Sequence, residues 1–319
     1  MREELNFVKG AVARKDFVPE LTHFSIEDGR VIGFNGDMAL SAPIGVDIRA
    51  KPHAQTFIKA VNACEGETAI SLTKAGKLSI KSGKFRALVP CLAPDHPSRF
   101  IIPEGAIVSL GKNFLDCIRT LAPFQGVDIS RPWSTGILLR SGSALATNNI
   151  CLVEYWHGNE LPFPINIPRP AIAELLRINE HPTKVQVARN SISFHFDGGR
   201  WLRTQLLAID WPDMVDKVLA AEGNPKEIPT DFFSAVEKLK PFTDDSARVF
   251  FTKTGIATSY EPEEATSVEV SGLPDGACFN HAMLSLLSGA AERVDFSSYP
   301  RPCKFEGKQL RGVIIGLRY

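Results

Sequence analysis

A phrase of eleven residues recurs in this chain, and a recurrence of that length limits the possible folds more than any bulk property. Phe114 to Phe124 reads FLDCIRTLAPF and Phe232 to Phe242 reads FFSAVEKLKPF. The two share an opening Phe, a small fourth residue (Cys117, Ala235), a β-branched fifth (Ile118, Val236), a Leu (Leu121, Leu239) and a closing Pro-Phe. Positions one, four, five and eight fall on one face of an α-helix, so each copy predicts an amphipathic helix stopped by its proline. A weaker copy, FVKGAVARKDF from Phe7 to Phe17, keeps the bracketing phenylalanines and the small fourth residue but lacks the Leu and the Pro. The pattern predicts three repeats of one structural segment.

A second mark agrees with the first. Ala93-Pro94-Asp95-His96-Pro97 and Ala208-Ile209-Asp210-Trp211-Pro212 both fit A-x-D-x-P, and each is followed by a stretch where Pro and Gly gather, RFIIPEG and AAEGNPKEIP. These place domain boundaries so that the segments run 1–104, 105–218 and 219–319. Segments of roughly one hundred residues far exceed solenoid or propeller repeats, so each is expected to be a domain with its own core.

Within each segment the periodicity reads helix, strands, helix, strands. Phe7, Val8, Ala11 and Val12 share a helical face, and the opening helix is expected to run until Pro19 ends it. LTHFSIEDGRVIGFNGD alternates around Asp28-Gly29 as a hairpin does, and HAQTFIKAVNAC from His53 to Cys64 is a second helix. In the middle segment IPRPAIAELLRI is a helix with Pro170 near its first turn, where a missing N–H costs least. The last segment pairs the Phe232 helix with FNHAMLSLLSGA and closes on RGVIIGLRY, a strand. The class is therefore α+β with antiparallel sheet.

Composition excludes several functions. Lys plus Arg equals Asp plus Glu, so no global field marks a nucleic-acid binder and any basic surface must come from local segregation. MREELNF lacks the basic-then-apolar order of a signal peptide and no apolar run is long enough to span a bilayer, which points to the cytoplasm. Cys64, Cys91, Cys117, Cys151, Cys278 and Cys303 are scattered without a CxxC pair, and read as small core residues in a reducing compartment.

Catalytic signatures are missing: there is no GxSxG, HExxH, P-loop or GxGxxG. His195 alternates within a strand, and Asp28, Asp95, Asp197 and Asp210 sit in turns that their side chains stabilise by bonding nearby N–H groups. The sequence thus predicts no enzyme, cofactor or metal, and a hydrolase with a dispersed His/Asp site is the weakest alternative. Basic residues tell more. Lys9, Arg14, Lys15, Lys59, Lys112, Arg119, Arg169, Arg177, Lys238 and Lys240 lie off the apolar helix faces, although Glu237 partly cancels Lys238. A solvated helix face explains any one of them; together they suggest a basic surface.

At this point the residues resemble the bacterial and phage β sliding clamps, the DNA polymerase III β subunit family. Ile167 to Asp213 carries IPRPAIAELLRI, VQVARNSISFHF and IDWPDM, similar to that family's middle-domain helix, strands and closing F-P-D/E element. RKDFVPEL at Arg14 to Leu21 resembles R-x-x-LPIL, and GKLSIKSGKFRALVPCL resembles the end of the first domain. ATNNICL from Ala146 to Leu152 sits where clamps have ATDGHRL, and IGLRY from Ile315 to Tyr319 where they have MPMRL.

The resemblance implies three clamp domains, each with two helices packed on antiparallel sheets, closing into a ring as a head-to-tail homodimer around double-stranded DNA. DNA would be held by Arg14, Lys15, Lys59, Lys112, Arg119, Arg169, Arg177 and Lys238. DNA polymerase and clamp loader would bring short peptides to a pocket of Thr147, Ile150, Leu152, Ile315, Leu317, Arg318 and Tyr319. The dimer interface would use Phe85, Arg86 and Leu88 on one side and Phe242 with the strand from Arg248 on the other. Asn148, Ile150, Cys151 and Gly316 depart from the family's Asp, His, Arg and Pro. That keeps open a clamp-fold protein serving transcription or repair, or a decoy for clamp partners.

Overall fold

A computed structural model describes residues 1–93, 96 and 102–318. Pro94, Asp95 and Pro97 of the first A-x-D-x-P, and Tyr319, lie outside the described residues. Seven α-helices occur among those described: α1 (Arg2–Val8), α2 (Ala54–Asn62), α3 (Phe114–Leu121), α4 (Arg169–Ile178), α5 (Val215–Leu219), α6 (Phe232–Leu239) and α7 (His281–Leu287).

The recurring phrase is a core signature. Phe114, Cys117, Ile118 and Leu121 of α3 and Phe232, Ala235, Val236 and Leu239 of α6 are all buried, the same four positions in each. At ~1.5–3 kcal/mol for each large side chain taken out of water, these faces hold the helices on their sheets. Both helices then tighten into a 3₁₀ turn at the proline, Ala122–Phe124 and Lys240–Phe242. The closing phenylalanines part company: Phe124 is buried while Phe242 is exposed.

The first copy departs from expectation. Its helix is Arg2–Val8, followed by a 3₁₀ turn at Lys9–Ala11, so it starts and ends several residues earlier than the phenylalanine bracket suggests. Leu5, Phe7 and Val8 fill the core, whereas Arg14, Lys15 and Phe17 belong to the loop beyond the helix. The reason is local. Glu3 and Glu4 favour a helix N-terminus at Arg2, and Gly10 weakens its continuation.

Contacts gather the chain into two compact units, residues 1–112 with 173–206 and residues 113–172 with 207–319. The middle segment of the sequence is shared between them, so the division at 104 and 218 describes the repeat rather than these units.

In the first unit, a seven-stranded antiparallel sheet is built from residues 25–27, 30–34, 38–43, 201–205, 191–195, 184–187 and 106–109 in that order. Its central pairing sets Trp201–Gln205 against Met38–Pro43, with Leu202 opposite Leu40. Asp28-Gly29 makes the expected tight turn with both residues at positive φ, 51° and 69°. A separate three-stranded sheet holds residues 69–72, 78–82 and 85–89, with Phe85–Val89 at one edge. α1 packs beside α2, and Arg2 reaches the carbonyls of Val61, Asn62 and Cys64 at the α2 C-terminus, where unpaired carbonyls and the helix dipole both favour a cation.

In the second unit, an eight-stranded sheet runs 165–168, 136–139, 143–147, 151–156, 310–314, 303–307, 293–294 and 226–227. A four-stranded sheet places Arg248–Thr252 between residues 255–257 and Cys278–Asn280, with Ser267–Glu269 at one edge. The strand from Arg248 is therefore interior and has no free edge to offer a partner, contrary to the sequence expectation; Ser267–Glu269 is the exposed one. α6 packs beside α7 over an aromatic cluster of Phe232, Phe251, Phe279 and Phe296, whose ring centroids lie 5.0–5.8 Å apart. All six cysteines are free thiols; five are buried and Cys91 is partly so, as the scattered spacing predicts.

Candidate functional site

Strand alternation decides which side chains share a surface. Cys151–Trp156 pairs with Ser143–Thr147 on one side and with Leu310–Ile314 on the other, placing Leu152 opposite both Thr147 and Val313. The ladder continues beyond the strand, because Ile315 N–H donates to the Ile150 carbonyl at 2.9 Å. Thr147, Ile150, Leu152 and Ile315 thus come together from two distant stretches of sequence.

The loop between the first two strands is held by its own polar side chains. Thr147 Oγ1 donates to the Cys151 carbonyl at 2.7 Å, and Asn148 Oδ1 accepts the N–H groups of Ile150 and Cys151 at 3.1 and 2.8 Å. Asn148 needs only an acceptor oxygen for this, which an aspartate would also supply, so the replacement keeps the loop.

Leu152 joins Leu145, Val313 and Leu219 in a buried apolar cluster, against which Leu138, Trp211, Val215 and Val218 pack in part. Val215, Val218 and Leu219 all come from α5. The sequence analysis assigns no helix between the A-x-D-x-P at Ala208 to Pro212 and the boundary at 218; the Val–x–x–Val–Leu spacing of VDKVL is the signal that points to one. Ile315 is exposed and Leu317 half-buried beside it. The tail after the strand is pinned by Leu317 N–H to the Cys278 carbonyl at 2.7 Å, and by Tyr299 Oη–H to the Leu317 carbonyl at 2.6 Å. Gly316 has a specific cause: a Cβ there would lie 2.5 Å from the Tyr299 ring. Arg318 is exposed.

On the same sheet face, the row next to the apolar cluster is charged. Glu154 is almost wholly buried and accepts from Arg140 at 2.7 Å, Ser143 at 2.8 Å and Arg311 at 2.9 Å; Arg311 stands opposite it on the neighbouring strand. Burial pushes the Glu154 carboxyl upward, but these hydrogen bonds outweigh it and hold the group below the ordinary carboxylate range. Arg140 also grips Asp216 of α5 at 2.8 Å, and Arg311 lies 5.6 Å from the Trp156 ring centroid. One short helix is thus docked through an apolar contact and an ion pair at once.

The basic residues are placed unequally. Lys59 on α2, Arg169 on α4 and Lys238 on α6 are exposed, and Lys112 lies in the turn before α3. Arg119 is exposed but pairs with Asp116 at 2.7 Å. Arg177 is committed elsewhere in the first unit. It bonds Glu174 through Nε at 2.8–2.9 Å, Asn6 O at 3.0 Å and Phe7 O at 2.7 Å, closing the C-terminal turn of α1. Glu174 is itself buried, and Gly10 sits so close that a Cβ there would overlap its carboxylate. The residues expected at an interface, Phe85, Leu88 and Phe242, are 38%, 48% and 59% exposed, and Arg86 is exposed as well.

Among the described residues no group of three His, Cys, Asp or Glu side chains could hold a metal, and no helix is long and apolar enough to cross a membrane. His195 meets Gln186 at 3.2 Å and is partly buried, which lowers its pKa.

No protein-family model matches the chain. A curated relative, the beta sliding clamp of Buchnera aphidicola, is 31% identical over 167 residues, covering 46% of this chain and 43% of the relative. Solved structures match along the entire chain. The DNA polymerase sliding clamp of Bacillus subtilis has a TM-score of 0.81 at 18% identity, with 100% of this chain and 97% of that one covered. The sliding clamp of Pseudomonas aeruginosa bound to griselimycin has a TM-score of 0.81 at 17% identity and the same coverage. The chain has the sliding-clamp fold, and the resemblance in its sequence is borne out at that level.

Proposed function

We propose that this chain, with its full-length sliding-clamp fold, is a DNA sliding clamp: a replication processivity factor that encircles duplex DNA and tethers a polymerase. The observation that carries the reading is that likeness of fold over 100% of the chain, joined to a stretch 31% identical to a named clamp. The division at 104 and 218 then marks three clamp domains. A sliding device must hold phosphates weakly and ignore bases, which suits scattered surface cations and a salt-dependent, sequence-independent attraction. Arg14, Lys15, Lys59, Lys112, Arg119, Arg169 and Lys238 are the exposed candidates. Arg177 contributes chiefly by holding α1.

The partner surface is the one formed by Thr147, Ile150, Leu152, Ile315 and Leu317 over the α5 cluster, with the exposed Arg318 at its rim; Tyr319, expected in the same pocket, lies outside the described residues. Each apolar anchor of a polymerase or loader peptide buried there would contribute ~1.5–3 kcal/mol, so two or three suffice for micromolar capture. The action is binding rather than catalysis, and it takes place in the cytoplasm.

Two copies would close head to tail through open strand edges. Phe85–Val89 carries Arg86 beside Lys84, and Ser267–Glu269 carries Glu269 with Glu263 and Glu264 just before it. Opposite charges on two unpaired edges favour edge-to-edge pairing between copies. Phe85, Leu88 and Phe242 would be covered in the process.

The test is retention on nicked circular DNA before and after linearisation, with the native mass measured in parallel. Retention lost on linearisation and a mass twice 35.0 kDa are expected. A stable monomer without topological retention overturns the proposal.

A further inference from the structure

Phe17 is the most exposed large apolar side chain among the described residues, with a relative accessibility of 105%. It does not hang from a loose terminus. Ala13 N–H donates to the Leu21 carbonyl at 2.8 Å and closes the loop at its base; Asp16 Oδ1 accepts Val18 N–H at 2.9 Å, and Leu21 N–H reaches Val18 O at 3.1 Å. Pro19 then starts a 3₁₀ turn whose Thr22 hydroxyl bonds the Pro19 carbonyl at 2.8 Å. The backbone is pinned on both sides of an aromatic ring left wholly exposed.

The surroundings of that ring are cationic. Arg14 and Lys15 are exposed three and two residues before it, with no ion pair to either among the described residues. The nearby acids are engaged: Asp16 caps the turn, and Glu20 faces His96 at 3.3 Å. A rigid aromatic beside two available cations is the chemistry that holds an unpaired nucleotide, the ring stacking on a base while the cations take the flanking phosphates. Duplex DNA offers no such partner, because its bases are already stacked on one another. A protein partner would need no paired cations, and a membrane surface would favour a broad apolar face, whereas only Val18 joins Phe17 as an exposed large apolar side chain in this loop.

We propose that the Ala13–Leu21 loop binds single-stranded DNA, with Phe17 stacking on an unpaired base and Arg14 and Lys15 contacting its phosphates. The proposal rests on the reading of the chain as a DNA clamp and adds to it a preference for the junction where duplex meets single strand.

The experiment uses the full chain and fluorescence anisotropy with a labelled oligothymidylate and a blunt duplex of equal length at low salt. Phe17→Ala is expected to weaken oligothymidylate binding about five- to a hundred-fold, the range reported by stacking energies per base, and duplex binding less than twofold. Phe17→Trp should retain binding, with its indole emission quenched as the oligonucleotide is added. Unchanged melting shows that the Ala variant is folded, as full exposure of the side chain demands. Equal loss on both DNAs, or no loss on either, overturns the stacking role. Oligothymidylate binding that vanishes in Arg14→Ala/Lys15→Ala but not in Phe17→Ala also overturns it while leaving the clamp reading intact. Absence of any DNA binding by the unaltered chain sinks both.

Discussion

Replacing Glu154 by Gln tests whether the charged row beside the candidate site holds that site together. The carboxylate accepts three hydrogen bonds, one from each of two arginines and one from Ser143, with its side chain only 4% exposed. A hydrogen bond to a charged group contributes about 1.5–3 kcal/mol against about 1 for a neutral pair, and a glutamine amide must also point two of its own hydrogens at donors. Breaking a buried pair outright costs about 3–5 kcal/mol. Relief comes from the partners, since Arg140 keeps Asp216 and Arg311 keeps the Trp156 face. The expected loss is therefore about 2–3 kcal/mol, read by denaturant unfolding at pH 7. Asp216→Ala, which breaks only the two-thirds-exposed outer pair, should cost under about 1 kcal/mol. The sign of the pH effect follows from the lowered Glu154 carboxyl: its contribution is complete above the unfolded value and lost as pH falls through the folded one. The gap between the unaltered chain and Glu154→Gln should thus close on acidification below about pH 4. A gap under about 1 kcal/mol at pH 7, or one that persists undiminished at pH 3, would refute the charge network as the source of this stability.

Arg177→Ala should destabilise the first unit by about 3 kcal/mol, because it strands the buried Glu174 and opens the end of α1, while the salt slope of DNA binding stays unchanged; Arg177→Ala/Glu174→Leu should recover much of the stability. Unfolding titrations and salt-dependent binding measured together distinguish this from a phosphate-contacting role. Gly316→Ala should displace the Tyr299 ring or the tail beside it, costing about 1–3 kcal/mol locally and weakening polymerase-peptide capture roughly tenfold in an anisotropy titration. Unaltered capture would mean that the tail after Ile314 lies outside the partner surface.

Much of the architecture was legible because it depends on local periodicity. The apolar positions of FLDCIRTLAPF and FFSAVEKLKPF repeat every three to four residues, and that spacing alone specifies a helix with one buried face. Turn chemistry was equally local: Asp28-Gly29 and Gly198-Gly199 adopt positive φ as their residue types permit. Locality also explains the misreading of the first helix. FVKGAVARKDF has the right bracketing residues, but Gly10 and the acidic start at Glu3 and Glu4 shift the helix toward the N-terminus, which leaves Phe17 in solvent.

Long-range pairing was not legible in the same way. That Leu152 stands opposite Val313, that Arg311 stands opposite Glu154, and that the strand from Arg248 is interior all depend on register between strands far apart in sequence. A one-residue slip would send every one of those side chains to the other face, and no short motif encodes the choice. The sequence by itself determined the helices, the turns, the α+β class and the repeat, because those rest on neighbours along the chain. Tertiary structure alone decided that α5 is a wall of the candidate site, that Arg177 is tied to a buried carboxylate, and that Phe17 projects from a pinned loop. Each of these depends on which distant group arrives to bury, pair or leave bare a given side chain.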